Sequence, residues 1–422
     1  MTVSSATNSP WRVLTASLIG TTIEFFDFYI YGTAAVLVFP HLFFPQGDAV
    51  ATDLQSLQTF ALAFFARPIG SAVFGHFGDR IGRKATLVAA LLMMGISTVL
   101  IGLLPTYQSI GIVATVLLCL CRFGQGFGLG GEWGGAVLLA TENAPANKRA
   151  WYGMFPQYGA PLGFLCSTGV FLLLSQQITA AEFLAWGWRI PFIASSLLVL
   201  VGLYIRLRLE ETPAFKQAIE HNERVRMPMI SVLTRHTRLL VLATFSGVAT
   251  FAVFYLMTVF TLGWATSHLG YSRQEFLILQ MIATVFLALA ILLSALGSDR
   301  YGRRLMLMIA AICVIAFGMS FGLLFESGSK VGVLVFLCMG MAVMGLTYGP
   351  LGTALSEYFP TAIRYTGASV SFNLAGIIGG SFTPYFASTL ANKYSVAHVG
   401  YYMATAGLVT LLANWLLPKE AS

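Results

Sequence analysis

Long apolar runs separated by short polar breaks extend along the whole chain, and this alternation restricts its fold more than any other feature. Each run is close to the ~20 residues that an α-helix needs to cross a bilayer. Charged residues make up only 10% of the 422 residues, too few to cover the surface of a soluble protein of this size. We therefore predict an all-α polytopic membrane protein. Its twelve predicted spans are 12–39, 54–78, 85–104, 109–140, 150–175, 187–207, 237–265, 273–298, 305–325, 331–356, 365–391 and 397–417.

The distribution of lysine and arginine predicts how these spans are oriented in the membrane. If the N-terminus is inside, 18 of the 24 basic residues fall in the terminal tails and inner loops. The six others are Arg189, Arg273, Lys330 and Lys393 in outer loops, and Arg67 and Arg122 within spans. The positive-inside rule then predicts cytoplasmic N- and C-termini in a multi-pass protein of the inner (plasma) membrane. The net charge of +7 follows from this topology, so we expect the lipid bilayer, and no nucleic acid, as a partner.

Neither the cysteines nor the main glycine-rich motif indicates a bound cofactor. All five cysteines lie inside predicted spans, and Cys119 and Cys121 point ~200° apart on a helix, so we expect no disulfide and no metal site. The stretch "GFGLGG" at 126–131 matches the dinucleotide-binding fingerprint, but it lies in an apolar span without the strand that the fingerprint requires. Its glycines instead predict close packing between helices. No nucleophile–base pair is recognisable either, so we predict that the protein is not an enzyme.

Two short motifs each occur twice and divide the chain into halves. "DRIGRK" at 79–84 returns as "DRYGRR" at 299–304, and "ENAPANKR" at 142–149 returns as "EYFPTAIR" at 357–364. Parallel repeats of this kind are known in secondary transporters. We predict two pseudo-symmetric six-helix halves, 1–207 and 237–422, joined by a cytoplasmic linker at 208–236. Within the linker, 214–224 is compatible with an amphipathic helix on the inner leaflet or with a plain solvated connection.

The motifs resemble those of a known superfamily of transporters. "GHFGDRIGRK" at 75–84 matches the loop signature of the major facilitator superfamily, and in the second copy Ala295 replaces the leading glycine. The stretches "IEFFDFYIYG", "RFGQGFGLGGEWGGA", "WGWRIPF" and "LEETPAF" resemble the metabolite:proton symporter family within it. This resemblance implies the major facilitator fold, a small-molecule substrate, protons as the coupling ion with no other cofactor, and function as a monomer.

The resemblance also implies that charged residues of the repeated loops form a cytoplasmic gate. Such clusters hold the inner face closed and release it as the two halves rock about a fixed site. Scattered basic residues would satisfy the positive-inside rule equally well, but Asp, Arg and Gly recur here at fixed spacing, which favours the gate. The predicted gate residues are Asp79, Arg80, Arg83, Glu142, Arg149, Asp299, Arg300, Arg303, Glu357 and Arg364.

Five ionisable residues lie inside predicted spans, where charges are costly and usually functional. They are Glu24, Asp27, Arg67, Arg122 and Glu132. Glu24 and Arg67 both lie ~18 Å from the ends of their spans, near the midplane. Helical spacing also places the side chains on shared faces, so we predict that all five meet at one polar centre. The alternative is that they form internal salt bridges that only fix helix packing.

Each candidate residue can be given a role in transport. Asp27 and Glu132, with Glu24 as a further candidate, are predicted to carry the proton, and Arg122 is predicted to bind a carboxylate through its planar guanidinium. The second half has no charges within its spans equivalent to these five, so we expect it to close over the substrate through uncharged groups. The other predicted substrate-binding residues are Arg67, Tyr31, Gln125, Gln157, Tyr255, Gln280, Tyr348 and Asn373.

These features predict a secondary active transporter that works by rocker-switch alternating access. Moving one negative charge inward against the membrane potential costs ~2.3 kcal/mol per 100 mV, and co-transported protons remove that cost. We therefore predict proton symport that imports a small organic acid across the bacterial inner membrane. A symporter of a zwitterion such as proline or betaine is the nearest alternative. A drug/proton efflux antiporter is less favoured, because "YGAPLG" matches the efflux motif only partially.

Overall fold

The computed structural model describes residues 9–45, 49–212, 215, 217 and 227–418, and within them the chain forms twelve membrane helices. Each helix corresponds to one of the twelve predicted spans. The first half contains α1 (Pro10–Leu37), α2 (Ala49–Arg80), α3 (Arg83–Leu103), α4 (Ile112–Glu142), α5 (Arg149–Gln157 and Gly159–Gln177) and α6 (Arg189–Leu207).

The second half repeats this arrangement with three interrupted helices. It contains α7 (Thr237–Tyr255, the π-helical turn Leu256–Phe260 and Thr261–His268), α8 (Arg273–Tyr301), α9 (Arg303–Met319 and Phe321–Phe325), α10 (Lys330–Tyr358), α11 (Arg364–Gly376, the π-helical turn Ile377–Ser381 and Thr383–Lys393) and α12 (Val396–Leu416). Short helical pieces lie between them at Phe39–Leu42, Tyr107–Ile110, Ala146–Lys148, Ala180–Glu182, Phe183–Gly187, Pro228–Arg235 and Thr361–Ile363. The amphipathic segment considered at 214–224 lies almost entirely outside the described residues.

Nine helical segments in the described part of the chain are long and apolar enough to cross a membrane by length and composition alone. The other three membrane helices, α2, α9 and α11, are not among these nine. The longer segment of α9, Arg303–Met319, has only 17 residues, which is short for a membrane span.

The two halves pack against each other through the helix pairs α2 with α11 and α5 with α8. Within the first half, the glycines of "GFGLGG" bring α4 close to α2, since a Cβ atom on Gly130 would collide with the backbone of Arg67. This confirms the close helix packing that the sequence predicted for this stretch. The repeated loops at 79–84 and 299–304 lie together at one end of the bundle, which we call the loop end.

A glycine at the same position of both repeated loops allows the chain to reverse its direction between two helices. Gly82 has φ 133° and Gly302 has φ 91°, in the region that L-residues with a side chain rarely adopt. Each glycine ends one membrane helix and begins the next, so α2 turns into α3 and α8 into α9 within a few residues. The tight turns keep the charged residues of both loops against the bundle.

Candidate functional site

A cavity lies between the two halves at about the middle of the helices. More than half of its lining residues are aromatic: Phe25, Phe28, Tyr29, Phe251, Phe254, Tyr255, Tyr348 and Phe372. The remaining lining residues are Glu24, Arg67, Leu129, Ala160, Thr250, Met344 and Asn373. Both halves contribute, as expected for a site about which two halves rock. Glu24, Arg67, Tyr255, Tyr348 and Asn373 were predicted site residues, and the structure brings them together here.

Arg67 and Glu24 are the two ionisable groups of opposite charge in this lining. The Arg67 guanidinium carbon lies 4.5 Å from the ring centroid of Phe28 and 5.1 Å from that of Phe64. The Arg67 side chain is only 6% exposed, and among the described residues no carboxylate lies within salt-bridge distance of it. A buried guanidinium held by aromatic faces without a counter-ion is suited to binding an anionic group.

Several polar atoms around the cavity have no hydrogen-bond partner within the described residues. They include one Glu24 carboxyl oxygen, the Tyr29 hydroxyl and the Thr250 hydroxyl. Buried polar groups in folded proteins are almost always hydrogen-bonded. Their convergence on one cavity therefore indicates a place where a polar ligand or water completes the hydrogen bonding.

Asp27 lies in a smaller pocket behind the central cavity. Its two carboxyl oxygens accept hydrogen bonds from the hydroxyls of Thr98 at 2.9 Å and Ser195 at 2.6 Å. The Gln125 amide donates to Thr98 Oγ1 at 2.8 Å, and Arg122 Nη1 donates to Gln125 Oε1 at 3.0 Å. A continuous chain of hydrogen bonds thus leads from Arg122 to Asp27, through groups of α4, α3 and α1. Asp27 is buried at 1% exposure.

Phe28 and Leu129 form the wall that the two cavities share. The Phe28 ring centroid lies 4.5 Å from the guanidinium carbon of Arg67 and 5.0 Å from that of Arg122. Arg122 also stacks over the ring of Tyr31 at 3.8 Å, and the Tyr31 hydroxyl donates to Thr59 at 2.6 Å. Arg122, Gln125 and Tyr31 therefore belong to the Asp27 side of this wall, and Arg67 belongs to the central cavity.

Glu132 lines neither cavity, so the prediction that it meets Arg122 and Asp27 at one polar centre is wrong. It pairs with Arg206 of α6 through both carboxyl oxygens, and Arg206 Nη1 to Glu132 Oε2 measures 2.8 Å. The angular projection that placed Glu132 beside Arg122 ignored the rise along the helix, which over ten residues is ~15 Å. Arg206 was counted among the basic residues of the tails and inner loops, whereas it is 2% exposed and lies inside α6.

Between the cavity and the loop end, aromatic and amide groups join the two halves. Trp133 of α4 stacks on Phe372 of α11 with ring centroids 3.5 Å apart. The Trp133 indole donates to Gln157 Oε1 at 2.8 Å, and the Gln157 amide donates to the Tyr348 carbonyl at 2.7 Å. Gln157, a predicted substrate ligand, thus joins the two halves and does not line the cavity. Gln280, another predicted substrate ligand, bonds the carbonyls of Met257 and Thr258 and does not line the cavity.

At the loop end, each signature aspartate caps a helix of the opposite half. Asp79, the last acid of α2, accepts hydrogen bonds from the backbone N–H groups of Tyr365 at 3.2 Å and Thr366 at 3.0 Å in α11. Asp299 of α8 accepts from the backbone N–H groups of Ala150 and Trp151 in α5, both at 2.9 Å. The N-terminus of a helix carries a partial positive charge, so these two contacts hold the loop end closed.

The other gate residues form two equivalent ion-pair clusters that also cross between the halves. Glu142 contacts Arg83 at 3.3 Å and Arg364 at 3.5 Å, and Glu357 contacts Arg303 at 3.2 Å and Arg149 at 3.6 Å. Eight of the ten predicted gate residues therefore meet in these clusters and caps. The remaining two differ, because Arg80 is exposed and contacts His76, and Arg300 is exposed over the ring of Tyr301.

The start of the linker packs on the first of these clusters. Glu211 accepts a hydrogen bond from the Lys84 backbone N–H at 3.2 Å, and the Thr212 hydroxyl donates to Glu142 at 2.5 Å. The ring of Phe215 lies 4.8 Å from the Arg83 guanidinium carbon. The stretch "LEETPAF" thus supports the first loop, and this partly explains why Asp79 and Arg83 are more buried than Asp299 and Arg303.

Comparison with known proteins identifies the family. The family described as "Sugar (and other) transporter" matches residues 13–229 and 227–417. The chain belongs to this transporter family. It is a member of the major facilitator superfamily and not an enzyme.

Curated relatives cover nearly the whole chain. The inner membrane metabolite transport protein YhjE of Escherichia coli (strain K12) is 55% identical over 96% of this chain and 93% of its own length. The shikimate transporter of the same strain is 35% identical, over 96% of this chain and 94% of its own length. The proline/betaine transporter of Salmonella typhimurium is 33% identical, over 97% of this chain and 84% of its own length.

Among solved structures, the proton:xylose symporter XylE of E. coli with bound 6-bromo-6-deoxy-D-glucose matches with a TM-score of 0.77. It is 20% identical and covers 97% of this chain and 96% of its own. At this identity the likeness establishes the fold, and the substrate has to be inferred from the site.

Several residues of the transporter site were not predicted from the sequence. Tyr29 and Thr250 line the central cavity, Thr98 and Ser195 hold Asp27, and Arg206 pairs with Glu132. Tyr29 lies in the stretch "IEFFDFYIYG", between the predicted site residues Asp27 and Tyr31. The Ser and Thr residues could not be recognised as site residues from the sequence, because Ser and Thr inside a membrane helix usually form a hydrogen bond with the preceding turn.

Proposed function

We propose that this transporter is a proton symporter that imports a small organic acid across the bacterial inner membrane. The observation that carries the proposal is Arg67, a buried guanidinium between Phe28 and Phe64 that faces the cavity between the halves. Within the described residues it has no carboxylate partner, so a substrate carboxylate supplies the missing charge. The planar guanidinium binds both oxygens of a carboxylate, which an ammonium group cannot do as well.

In this proposal Asp27 carries the proton. Of the three acids predicted inside the spans of the first half, Glu132 is paired with Arg206 and Glu24 faces the substrate. Asp27 accepts two hydroxyl hydrogen bonds and, among the described residues, has no cation within salt-bridge distance. The side chain of Phe28 separates Asp27 from the central cavity in which the substrate is proposed to bind. Such a buried acid is suited to exchanging a proton with the medium, and the proton offsets the charge of an imported anion.

The loop end is proposed to face the cytoplasm, with both termini on that side, because the positive-inside rule assigns the basic loops there. The crossed helix caps of Asp79 and Asp299, together with the stack of Trp133 on Phe372, close the path from the cavity to that side. Opening inward then requires the halves to rock and these contacts to separate. This is a rocker-switch cycle in which the loop-end contacts form the inner gate.

A zwitterion is the second candidate substrate. Glu24 in the same cavity as Arg67, and the many aromatic rings around them, offer a place for a substituted ammonium group as well as a carboxylate. The curated relatives include a shikimate transporter and a proline/betaine transporter, one for each candidate. Neutralisation of Glu24 is expected to change the binding of the two candidate substrates in opposite directions. Glu24→Gln removes a repulsion from an organic acid but removes the counter-charge of a zwitterion.

The proposal is tested by uptake into vesicles that contain the purified protein. Radiolabelled shikimate and radiolabelled betaine are compared, with the outside acidic and with the gradient collapsed by an ionophore. We expect shikimate to accumulate only while the gradient is present. Gradient-driven accumulation of betaine without that of shikimate would support the second candidate, and equal uptake with and without the gradient would contradict symport of either.

A further inference from the structure

We propose that the cavity accepts substrates with a single carboxylate on an apolar or ring-shaped body, and that Glu24 is the residue that excludes a second carboxylate. The inference rests on the proposed function, because it takes the central cavity as the substrate site. It goes further by naming the substrate class and a specificity-determining residue.

The charges that line the cavity set the limit of one carboxylate. Of its described lining residues, Arg67 is the one cation and Glu24 the one acid. Arg122, the next guanidinium, lies beyond Phe28 and bonds Gln125, and Arg206 is held by Glu132. A first carboxylate therefore finds a counter-charge at Arg67. A second carboxylate on the same molecule would be buried without one, which is strongly unfavourable in a membrane protein.

Glu24 opposes a second carboxylate directly. Its side chain is 3% exposed, and one carboxyl oxygen has no partner among the described residues. Arg67 is the one cation in the same described lining, and the next acid of the first half, Glu132, is paired with Arg206. Like charges brought together in a dry site cost several kcal/mol, so a repulsive group is an effective way to reject a wrong substrate.

The rest of the lining favours a flat or ring-shaped body. Phe25, Phe251, Phe254 and Phe372 present apolar rings, and rings pack well against the faces and edges of other rings. The hydroxyls of Tyr29 and Thr250 lack partners in the described chain and offer hydrogen bonds to substrate hydroxyl groups. A hydroxylated ring acid with one carboxylate matches the rings, hydroxyl groups and single cation of this lining better than an extended dicarboxylate does.

The test is binding to the purified full-length protein at fixed pH by isothermal titration calorimetry. The probes are shikimate and cyclohexanecarboxylate, each with one carboxylate, and cyclohexane-1,4-dicarboxylate and citrate, with two and three. We expect the single-carboxylate probes to bind and the others to bind about 100-fold more weakly, the size expected for an unpaired like charge. Binding of the dicarboxylate or citrate as tightly as the ring monocarboxylates, or no binding of either monocarboxylate, would overturn the proposal.

Two variants assign the selectivity to Glu24. Glu24→Gln keeps the shape and removes the charge, so binding of the dicarboxylate should improve about tenfold or more relative to shikimate. Glu24→Asp is the matched control that keeps the charge and should keep the exclusion. Unchanged selectivity in Glu24→Gln that still binds shikimate would overturn the role of Glu24. These binding experiments need no proton gradient, so their failure is separable from a failure of proton symport, which only transport measurements detect.

Discussion

The carboxylate of Asp79, at the end of α2, accepts hydrogen bonds from both the backbone N–H and the hydroxyl of Thr366 in the first turn of α11, at 3.0 and 2.8 Å. The two residues belong to different halves and are 287 positions apart in the sequence. Asp299 makes the equivalent contact with α5 in the opposite sense. The aspartate of each repeated loop therefore binds the opposite half of the protein at the loop end.

Asp79→Asn is predicted to impair transport while leaving substrate binding nearly unchanged. The substitution keeps one acceptor oxygen but removes the charge that interacts with the N-terminus of α11, which typically contributes about 0.3–2 kcal/mol. Arg67 is 12 residues away along α2, or ~18 Å, so the substrate site should not be affected. Calorimetric binding of shikimate and its uptake into vesicles measure the two effects separately.

Asp299→Asn is the matched comparison for this gate. Asp299 and Arg303 are each 12% exposed in their ion pair, whereas Asp79 and Arg83 are 0% and 1% exposed. We expect the smaller transport defect from Asp299→Asn, because solvent screens its charge more strongly. A proportional loss of binding and transport in Asp79→Asn would contradict the gate and indicate a role in folding or in the site itself.

The membrane helices were predictable because a bilayer leaves an apolar run of ~20 residues few alternatives to a helix. The interruptions in α7 and α11 were not predictable, because they depend on contacts between helices that are distant in sequence. A Cβ atom on Gly380 of α11 would collide with the ring of Tyr255 of α7, so the two π-helical regions pack closely. Nothing in the local sequence of either helix contains this information.

The charged residues of the site were found from the sequence, but their grouping was not. Depth along a helix and angle around it must both agree before two side chains meet. Arg122 and Glu132 share an angle but not a depth, so Glu132 pairs with Arg206 instead. Arg67 and Glu24 were correctly placed at one depth, and both line the central cavity.

Glu132→Gln is predicted to destabilise the protein rather than to alter coupling alone. It leaves the buried Arg206 without its carboxylate, and breaking a buried ion pair in this way typically costs about 3–5 kcal/mol. Combining Glu132→Gln with Arg206→Met removes both charges and should recover much of the lost stability. Thermal unfolding in detergent measures both variants. If the single variant and the double variant were both as stable as the wild-type protein, the pair would have no structural role.

Arg67→Lys is predicted to weaken shikimate binding tenfold or more, the scale of a hydrogen bond to a charged group. The ammonium keeps the charge but loses the planar fork that binds both carboxylate oxygens. Arg122→Lys is the control, since Arg122 lies on the Asp27 side of Phe28. We expect it to change binding much less. The account of the cavity would be contradicted if Arg122→Lys abolished binding and Arg67→Lys did not.

Asp27→Asn is predicted to retain exchange of substrate between equal concentrations and to lose uphill uptake. The amide mimics a permanently protonated acid and cannot release a proton. Ser195→Ala is the control, because it removes one hydrogen bond to Asp27 but keeps the carboxyl group. Counterflow and gradient-driven uptake of shikimate are compared for both variants. If Asp27→Asn still accumulates substrate, Asp27 does not carry the proton and Glu24 becomes the candidate.

Coupling itself is measured most directly as proton entry in response to substrate. Vesicles containing the purified protein enclose a pH-sensitive dye, and the tightest-binding compound of the calorimetric panel is added outside without an imposed pH gradient. Vesicles without protein and vesicles with Asp27→Asn serve as controls. The account predicts acidification of the interior on addition of substrate to the wild-type protein alone. Substrate entry with no change of interior pH would contradict proton symport.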